Sequence, residues 1–321
     1  MTTGYNMSTL ECCPVSAKDG SFTSAPTPPS LLPIMVPRND SWYSRYGEIC
    51  LSFSRSSLTP VELLKLGVRE QMNELTSYID TSNIYGSTEE KAARLRLFRG
   101  GLMRWRNHPE GSRLKPLLPF ASGIDACIPE NHRFIKCFEA GDERVNEQMA
   151  LASMHTIWMR EHNRMASALG KLNPHWDDET IYQESRRVIV AMNQYITYNE
   201  FLPVVLGKRY MDENGLSLVD NGYGYGYDEN VDPSSTNVFA TAAFRFGHTL
   251  LPNQVARPGA SHYNPRDDID LSDLFFRPFV LYSGKHPRGV DALMRGIASA
   301  PAETFDRHIA RERAPTGKRK D

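Results

Sequence analysis

Two long stretches of helical periodicity in the middle of the chain constrain its fold more than any other feature. From Val145 to Leu172, the apolar residues Leu151, Met154, Ile157, Trp158, Met165 and Leu169 recur at three- and four-residue steps, the repeat of one helical face. From Asp178 to Leu206, Ile181, Val188, Ile189, Met192, Ile196 and Phe201 do the same. Asp177 or Asp178 can cap the second stretch and Gly207 can stop it. Pro203 lacks an amide hydrogen and is expected to kink or end it a few residues earlier. Strand signals are few and short, so the expected fold class is mainly α.

The rest of the chain is organised around that pair. Residues 1–45 are rich in Pro, Ser and Thr and read as an irregular lead-in. Thr59 to Asn73 has helical spacing through Leu63, Leu64, Leu66, Val68 and Met72. Glu89 to Arg99 is short and basic, and residues 107–133 carry prolines and glycines and read as loop. A third helix is expected from about Ser234 to Leu250, after the loop NGYGYGY. The expected division is a lead-in over 1–45, one folded domain over 46–311 and a basic tail over 312–321.

Composition excludes several classes. With 37 basic against 38 acidic residues, a net charge of −1 gives no electrostatic basis for binding nucleic acid. No apolar run reaches the roughly 18 residues of a membrane span. The first thirty residues lack the apolar core of a signal peptide. Five cysteines, Cys12, Cys13, Cys50, Cys127 and Cys137, leave one unpaired if disulfides form within the chain. Cys127 and Cys137 flank the loop IPENHRFIK at a spacing that suits a local disulfide, with buried free thiols as the alternative. Asn6 and Asn39 occupy N-x-S triplets.

Three segments carry candidate chemistry. In LTSYIDTSNIYGS, Thr76, Tyr78, Asp80 and Ser82 alternate, so an extended backbone would place their oxygens on one face. That suits a hard cation such as Ca²⁺, against the plainer reading of a polar turn closed by Gly86. In GDERVNEQ, Asp142 suits an N-cap, and Arg144 and Glu147 sit three apart on one helical face. In FRFGHT, His248 lies among aromatics and glycine, where it could ligate a metal or haem iron or serve as a core histidine.

Six motifs in one order, LTSYIDTSNIYGS, CFEAGDERVNEQ, SMHTIWMREHNR, LNPHWDDETIYQESRRVI, ITYNEFLPVVLG and FATAAFRFGHTL, closely resemble the animal haem peroxidases from about Leu31 to Arg311. The resemblance implies a helical haem-peroxidase fold. It implies a haem of the b type, with His248 as the proximal iron ligand, Arg245 near a haem propionate, Arg144 as the distal arginine, and Glu147 esterified to a haem methyl. Gln148 stands where one branch of the family carries a vinyl-linked methionine, so that third link is not expected; Met149 lies one position later. Thr76, Tyr78 (through its carbonyl), Asp80 and Ser82 match a Ca²⁺ loop. Cys127 and Cys137 match a local disulfide, and Cys50 would pair with Cys12 or Cys13. The implied partners are hydrogen peroxide and a small reducing substrate, phenolic or halide, in a secreted setting such as matrix or chorion cross-linking.

The resemblance stops at two places. The Gln-x-x-Asp-His-Asp segment that supplies the family's distal histidine, a second ester and one calcium ligand is not found. Nor are the asparagine and the Arg-x-Arg-Asp-His-Gly segment that follow the proximal helix. A partial domain is therefore expected, and loss of general acid–base catalysis alone costs roughly 10²–10⁴-fold in rate. A second reading stands beside the enzyme: a catalytically impaired binding or adhesion module, or a truncated fragment.

Overall fold

The computed structural model describes residues 31–41, 43–47, 49–51, 53, 55–56, 59, 70–111, 113–121, 135–224, 226–259, 263–283, 289–307 and 310. The chain divides into two units, Met1–Glu74 and Leu75–Asp321. In the first, β1 (Ile34–Met35) pairs antiparallel with β2 (Cys50–Leu51), matching Ile34 to Leu51 and Met35 to Cys50. Most of the helix expected over 59–73 lies outside the described residues; Glu70 to Asn73 are not helical.

The second unit is mainly α. Short helices α1 (Ser82–Tyr85) and α2 (Glu89–Leu95) precede the spine, α3 (Met149–Leu172) and α4 (Asp178–Ile196). Beyond it come α5 (Leu202–Leu206), α6 (Lys208–Glu213), α7 (Asn237–Thr241) and α8 (Gly289–Ser299), with β3 (Gln254–Val255) antiparallel to β4 (Ile269–Asp270). Helix α3 packs against α4, α8 and the 3-10 turn Pro278–Leu281. The core around it includes Tyr85, Phe138, Met149, Met159, Tyr182 and Leu281.

Helix α3 starts four residues later than its periodicity predicts. Gln148 is extended and pairs with Phe275, and the Glu147 carbonyl accepts the Phe276 amide at 3.1 Å. This pairing draws residues 147–148 out of the helix. The Gln148 side chain then caps α3, accepting the Ala150 and Leu151 amides, as an N-cap acceptor does.

The buried face of α3 also differs from the expected stripe. Met154 is exposed and Leu151, Ile157, Trp158, Met165 and Leu169 are half-buried, whereas Ala152, Ser153, His155, Thr156, His162 and Ala166 are buried. Small residues let neighbouring backbones approach. The polar ones are satisfied within the helix: the Ser153 and Thr156 hydroxyls donate to the carbonyls four residues back, each at 2.8 Å, a bond that removes the cost of burying them.

The second stretch forms as expected, with one refinement. Asp177 caps α4 by accepting the Thr180 amide at 2.8 Å. A π-helical turn, Thr197–Phe201, separates α4 from α5 and precedes Pro203. The extra residue in such a turn accommodates the bond a proline cannot make. Gly207 ends the run at φ 82°, a left-handed conformation that glycine adopts without strain. The third expected helix, 234–250, is instead two pieces: α7 and a 3-10 helix, Ala243–Leu250, broken at Ala242 (φ −128°, ψ −66°). An apolar pattern this short does not distinguish the two windings.

A buried polar thread joins α1, α3 and the segment after α2. The Tyr85 hydroxyl donates to His162 Nδ1 at 2.8 Å, and His162 Nε2 donates to the Gly101 carbonyl at 2.9 Å. A carbonyl only accepts, so the proton must sit on Nε2 and Nδ1 must be the acceptor. Burial depresses the His162 pKa to about 4 and pushes the Tyr85 hydroxyl far up. Below α1, Gly141 passes so close that a Cβ would collide with the Ser82 carbonyl and Gly86 amide and lie 2.8 Å from the Asn83 carbonyl.

Two predictions follow from these contacts. His162 is neutral when folded, so between its unfolded value near 6.5 and about 4 the unfolded chain binds the extra proton. Stability therefore falls as pH drops through that window, by about 3 kcal/mol for this residue. Urea unfolding from pH 7 to 4 should show a shallower fall in His162→Ala, the remainder including buried His155, whose pKa burial also lowers. An unchanged pH profile would refute the assignment. Gly141→Ala should cost on the order of 1–3 kcal/mol through overpacking, read as a lower urea midpoint.

Candidate functional site

The site residues expected from the sequence fall in two groups. The first lies where α1 meets the entrance to α3. Asp142 caps a 3-10 turn, Glu143–Asn146, and its amide donates to the Asn83 carbonyl at 3.0 Å. Asn146 braces the turn: its side chain accepts the Phe138 amide and donates to the Phe138 carbonyl, both at 2.8 Å. Asp142, Val145, Asn146 and Met149 are buried, while Arg144 and Glu147 between them are exposed.

Arg144 is held by its neighbour. Asp142 Oδ1 accepts the Arg144 amide at 2.8 Å and Nε at 3.0 Å, and Oδ2 accepts Nη2 at 2.7 Å. Burial alone would raise the Asp142 carboxyl, but the hydrogen bonds and charge of Arg144 outweigh it and hold the group below the ordinary aspartate value. The hydrogen bond to Asp142 raises Arg144 in turn, opposed by burial and aided by the charges of Asp142 and Glu147. Sequence reasoning read Asp142 only as a cap; an Asp-x-Arg spacing at a 3-10 start was the signal available for the clamp.

His155 was not singled out, and no local sequence signal marks it. It is buried, its Nδ1 donates to the Leu151 carbonyl at 2.8 Å, and its Nε2 has no partner among the described residues. Burial keeps it neutral, and Asp142 and Arg144 are within electrostatic reach. It lines a cavity of about 10 Å³ with Ile84, Leu118 and Met159, room for about one water. A second cavity, about 20 Å³, lies between His108, Arg160 and Asp291.

Residues 77–80 form bends rather than an extended stretch, so alternation alone does not set the directions of Thr76, Tyr78, Asp80 and Ser82. Asp80 Oδ1 accepts the Ser82 amide at 3.0 Å, and Thr76 Oγ1 accepts the Tyr78 amide at 3.2 Å. Between Asp80 and Ser82, buried Thr81 has φ 58°, a left-handed conformation that strains a β-branched residue. The Ser82 carbonyl at the end of this segment crowds Gly141, and the Asn83 carbonyl just beyond it accepts the Asp142 amide, so the end of the segment lies against the start of the turn that carries Arg144.

The second group is the 3-10 helix Ala243–Leu250. Both Arg245 and His248 are exposed on it, and Arg245 Nε donates to the Ala240 carbonyl at 3.2 Å. It packs on α7, where Phe239 and Phe244 stack at 5.2 Å, and against Phe305 through Phe246 at 6.0 Å. Val238 and Phe244 are 71% and 55% exposed, apolar side chains left uncovered on α7 and the 3-10 helix. Cys50 and Cys137 are each disulfide-bonded; Cys12, Cys13 and Cys127 lie outside the described residues.

These residues fit a haem by chemistry. An exposed imidazole can ligate iron, two guanidiniums can meet anionic groups, and an exposed carboxylate side chain can be esterified. The two cavities, about 10 and 20 Å³, are far too small for a macrocycle.

Comparison with known proteins identifies the family. The sequence pattern described as "Animal haem peroxidase" matches residues 1–313. The chain is 43% identical over 286 residues to human "Peroxidasin homolog", covering 84% of this chain and 18% of that protein. It is 37% identical over 293 residues to "Chorion peroxidase" of Aedes aegypti, covering 89% and 36%. Among solved structures, peroxidase A from Dictyostelium discoideum superposes with a TM-score of 0.70 at 30% identity, over 88% of this chain and 53% of that one. The chain thus spans about a fifth to a third of the length of these curated relatives. A family pattern that matches residues 1–313, with relatives 37% and 43% identical over more than four fifths of this chain, means that the chain belongs to the animal haem peroxidase family.

Proposed function

We propose that this chain carries the proximal half and the arginine-bearing distal wall of a haem peroxidase that oxidises a small phenolic or halide substrate with hydrogen peroxide. The observation that carries this reading is the exposure of Arg144 and Glu147 on a frame of buried neighbours, in a chain of this family. Haem, when bound, supplies the iron centre at which peroxide is reduced.

His248 would hold the iron through its imidazole, and Arg245 would pair with a propionate. Glu147, whose carboxylate is accessible, would form the ester to a haem methyl and so keep the group in place. Arg144 would donate hydrogen bonds to the peroxide oxygens and stabilise the negative charge that develops as their bond breaks. Thr76, the Tyr78 carbonyl, Asp80 and Ser82 would hold Ca²⁺, with the strain at Thr81 supporting a ligand clamp there. A secreted setting is supported by the disulfides at Cys50 and Cys137, which persist in oxidising compartments.

Haemin added to the purified chain should give a Soret band that His248→Ala strongly diminishes. Arg144→Ala should keep the band and lose roughly 10²–10³-fold in guaiacol oxidation by peroxide, the usual effect of removing one charge-stabilising donor. A Soret band with oxidation at background in the wild type would leave a haem-binding module and exclude the enzyme. Calcium at 100 times its dissociation constant should raise stability by about 2.7 kcal/mol. Asp80→Ala should abolish that rise, and a calcium response equal to wild type would remove Asp80 from the site.

A further inference from the structure

We propose that Asp142 is the positioning residue for Arg144 and couples its guanidinium to the 76–86 segment. The inference rests on the reading of Arg144 as the peroxide-facing arginine and adds to it a second residue and a route.

Asp142 stands at the junction of two contacts. On one side its amide bonds the Asn83 carbonyl at 3.0 Å, and Gly141 before it has no room for a side chain beneath Ser82, Asn83 and Gly86. The backbone at 141–142 must therefore follow α1, which continues directly from the Thr76–Ser82 stretch. On the other side its carboxylate takes three hydrogens from Arg144, one from the amide, one from Nε and one from Nη2. The two side-chain bonds fix the plane of the guanidinium. They direct the opposite edge, with Nη1, away from Asp142.

Exposure divides the pair in the same sense. The Asp142 side chain is 11% exposed and that of Arg144 52%, so the anchor is buried and half of the arginine side chain remains accessible. A displacement of the 76–86 segment shifts the Asp142 backbone and turns the guanidinium with it. Cation binding in the Thr76–Ser82 stretch is then felt at Arg144 through one hydrogen bond and one close backbone approach.

The test uses the full chain loaded with haemin and reads fluoride binding to the ferric form by the Soret shift, with no turnover. Arg144→Ala should weaken fluoride about 10- to 100-fold, the range for one charge-assisted hydrogen bond. Asp142→Asn keeps the size and a capping oxygen, so helical circular dichroism should be unchanged. It should weaken fluoride at least about 5-fold, with no further loss when added to Arg144→Ala. Wild-type affinity in Asp142→Asn, with Arg144→Ala weakened, overturns the positioning role alone; wild-type affinity in Arg144→Ala overturns the reading of the arginine and this inference together. A second measurement needs neither haem nor a variant. The Arg144 Nε–H should exchange with water at least about 10-fold more slowly than in a free arginine peptide, and more slowly still with saturating calcium. Peptide-like exchange overturns the clamp, and a rate indifferent to calcium overturns the coupling.

Discussion

The hydrogen bond from His162 to the Gly101 carbonyl is the contact on which the surrounding structure depends. It shows how a helical protein with very little sheet can hold long irregular segments in place. Backbone groups outside helices and strands still need partners when buried. Here α3 supplies them from one turn: Arg160 Nε donates to the Pro116 carbonyl at 2.7 Å, His162 bonds Gly101, and Asn163 both accepts from the Met103 amide and donates to its carbonyl. The helix serves as a rail along which residues 101–116 are fixed by side chains. Tyr85, closing on the other nitrogen of His162, brings α1 onto the same rail.

That arrangement decides where the candidate site can be. The segment entering α3 is irregular too, and Asn146 treats Phe138 as Asn163 treats Met103, one side-chain amide replacing a rung of a strand ladder. The exposed groups of Arg144 and Glu147 are thus carried on a short 3-10 turn and its C-cap, outside α3 but fixed. Functional groups concentrate on such connections because the rigid elements beneath define their position. The close approach of α1 to Gly141 extends the same fixation to Ser82, the last residue of the Thr76–Ser82 stretch.

The helices were legible because their periodicity spans many turns, and α4 with its Asp177 cap and Gly207 stop follows the reading closely. What failed was local. Counting only apolar residues placed the buried face of α3 on Leu151 and Met154, since Ser153, Thr156 and His162 look solvent-facing until their bonds are known. The start of α3 is set by pairing with Phe275, more than a hundred residues away, and no window around Gln148 contains that information. Tyr85 and His162, 77 positions apart, are partners only through packing. Motif order named Arg144, Glu147, Arg245 and His248 together, and the structure carries them on two separate 3-10 segments, while the clamp by Asp142 had only an Asp-x-Arg spacing to announce it.

The Asp142–Arg144 pair is better understood as orientation than as stability. An ion pair with one half-exposed member contributes about 0–1 kcal/mol, because water competes for the guanidinium and a long side chain must be immobilised. An arginine left free loses up to about 2 kcal/mol of rotamer entropy when a ligand fixes it. If folding has already fixed it, that cost is absent from binding and from the transition state. A carboxylate that is buried, bonded through its own backbone to α1 and forked onto Nε and Nη2 does this for Arg144. The small net energy of the pair and its exact geometry are then two aspects of one arrangement: the enthalpy of the three bonds is largely spent on removing the freedom of one guanidinium.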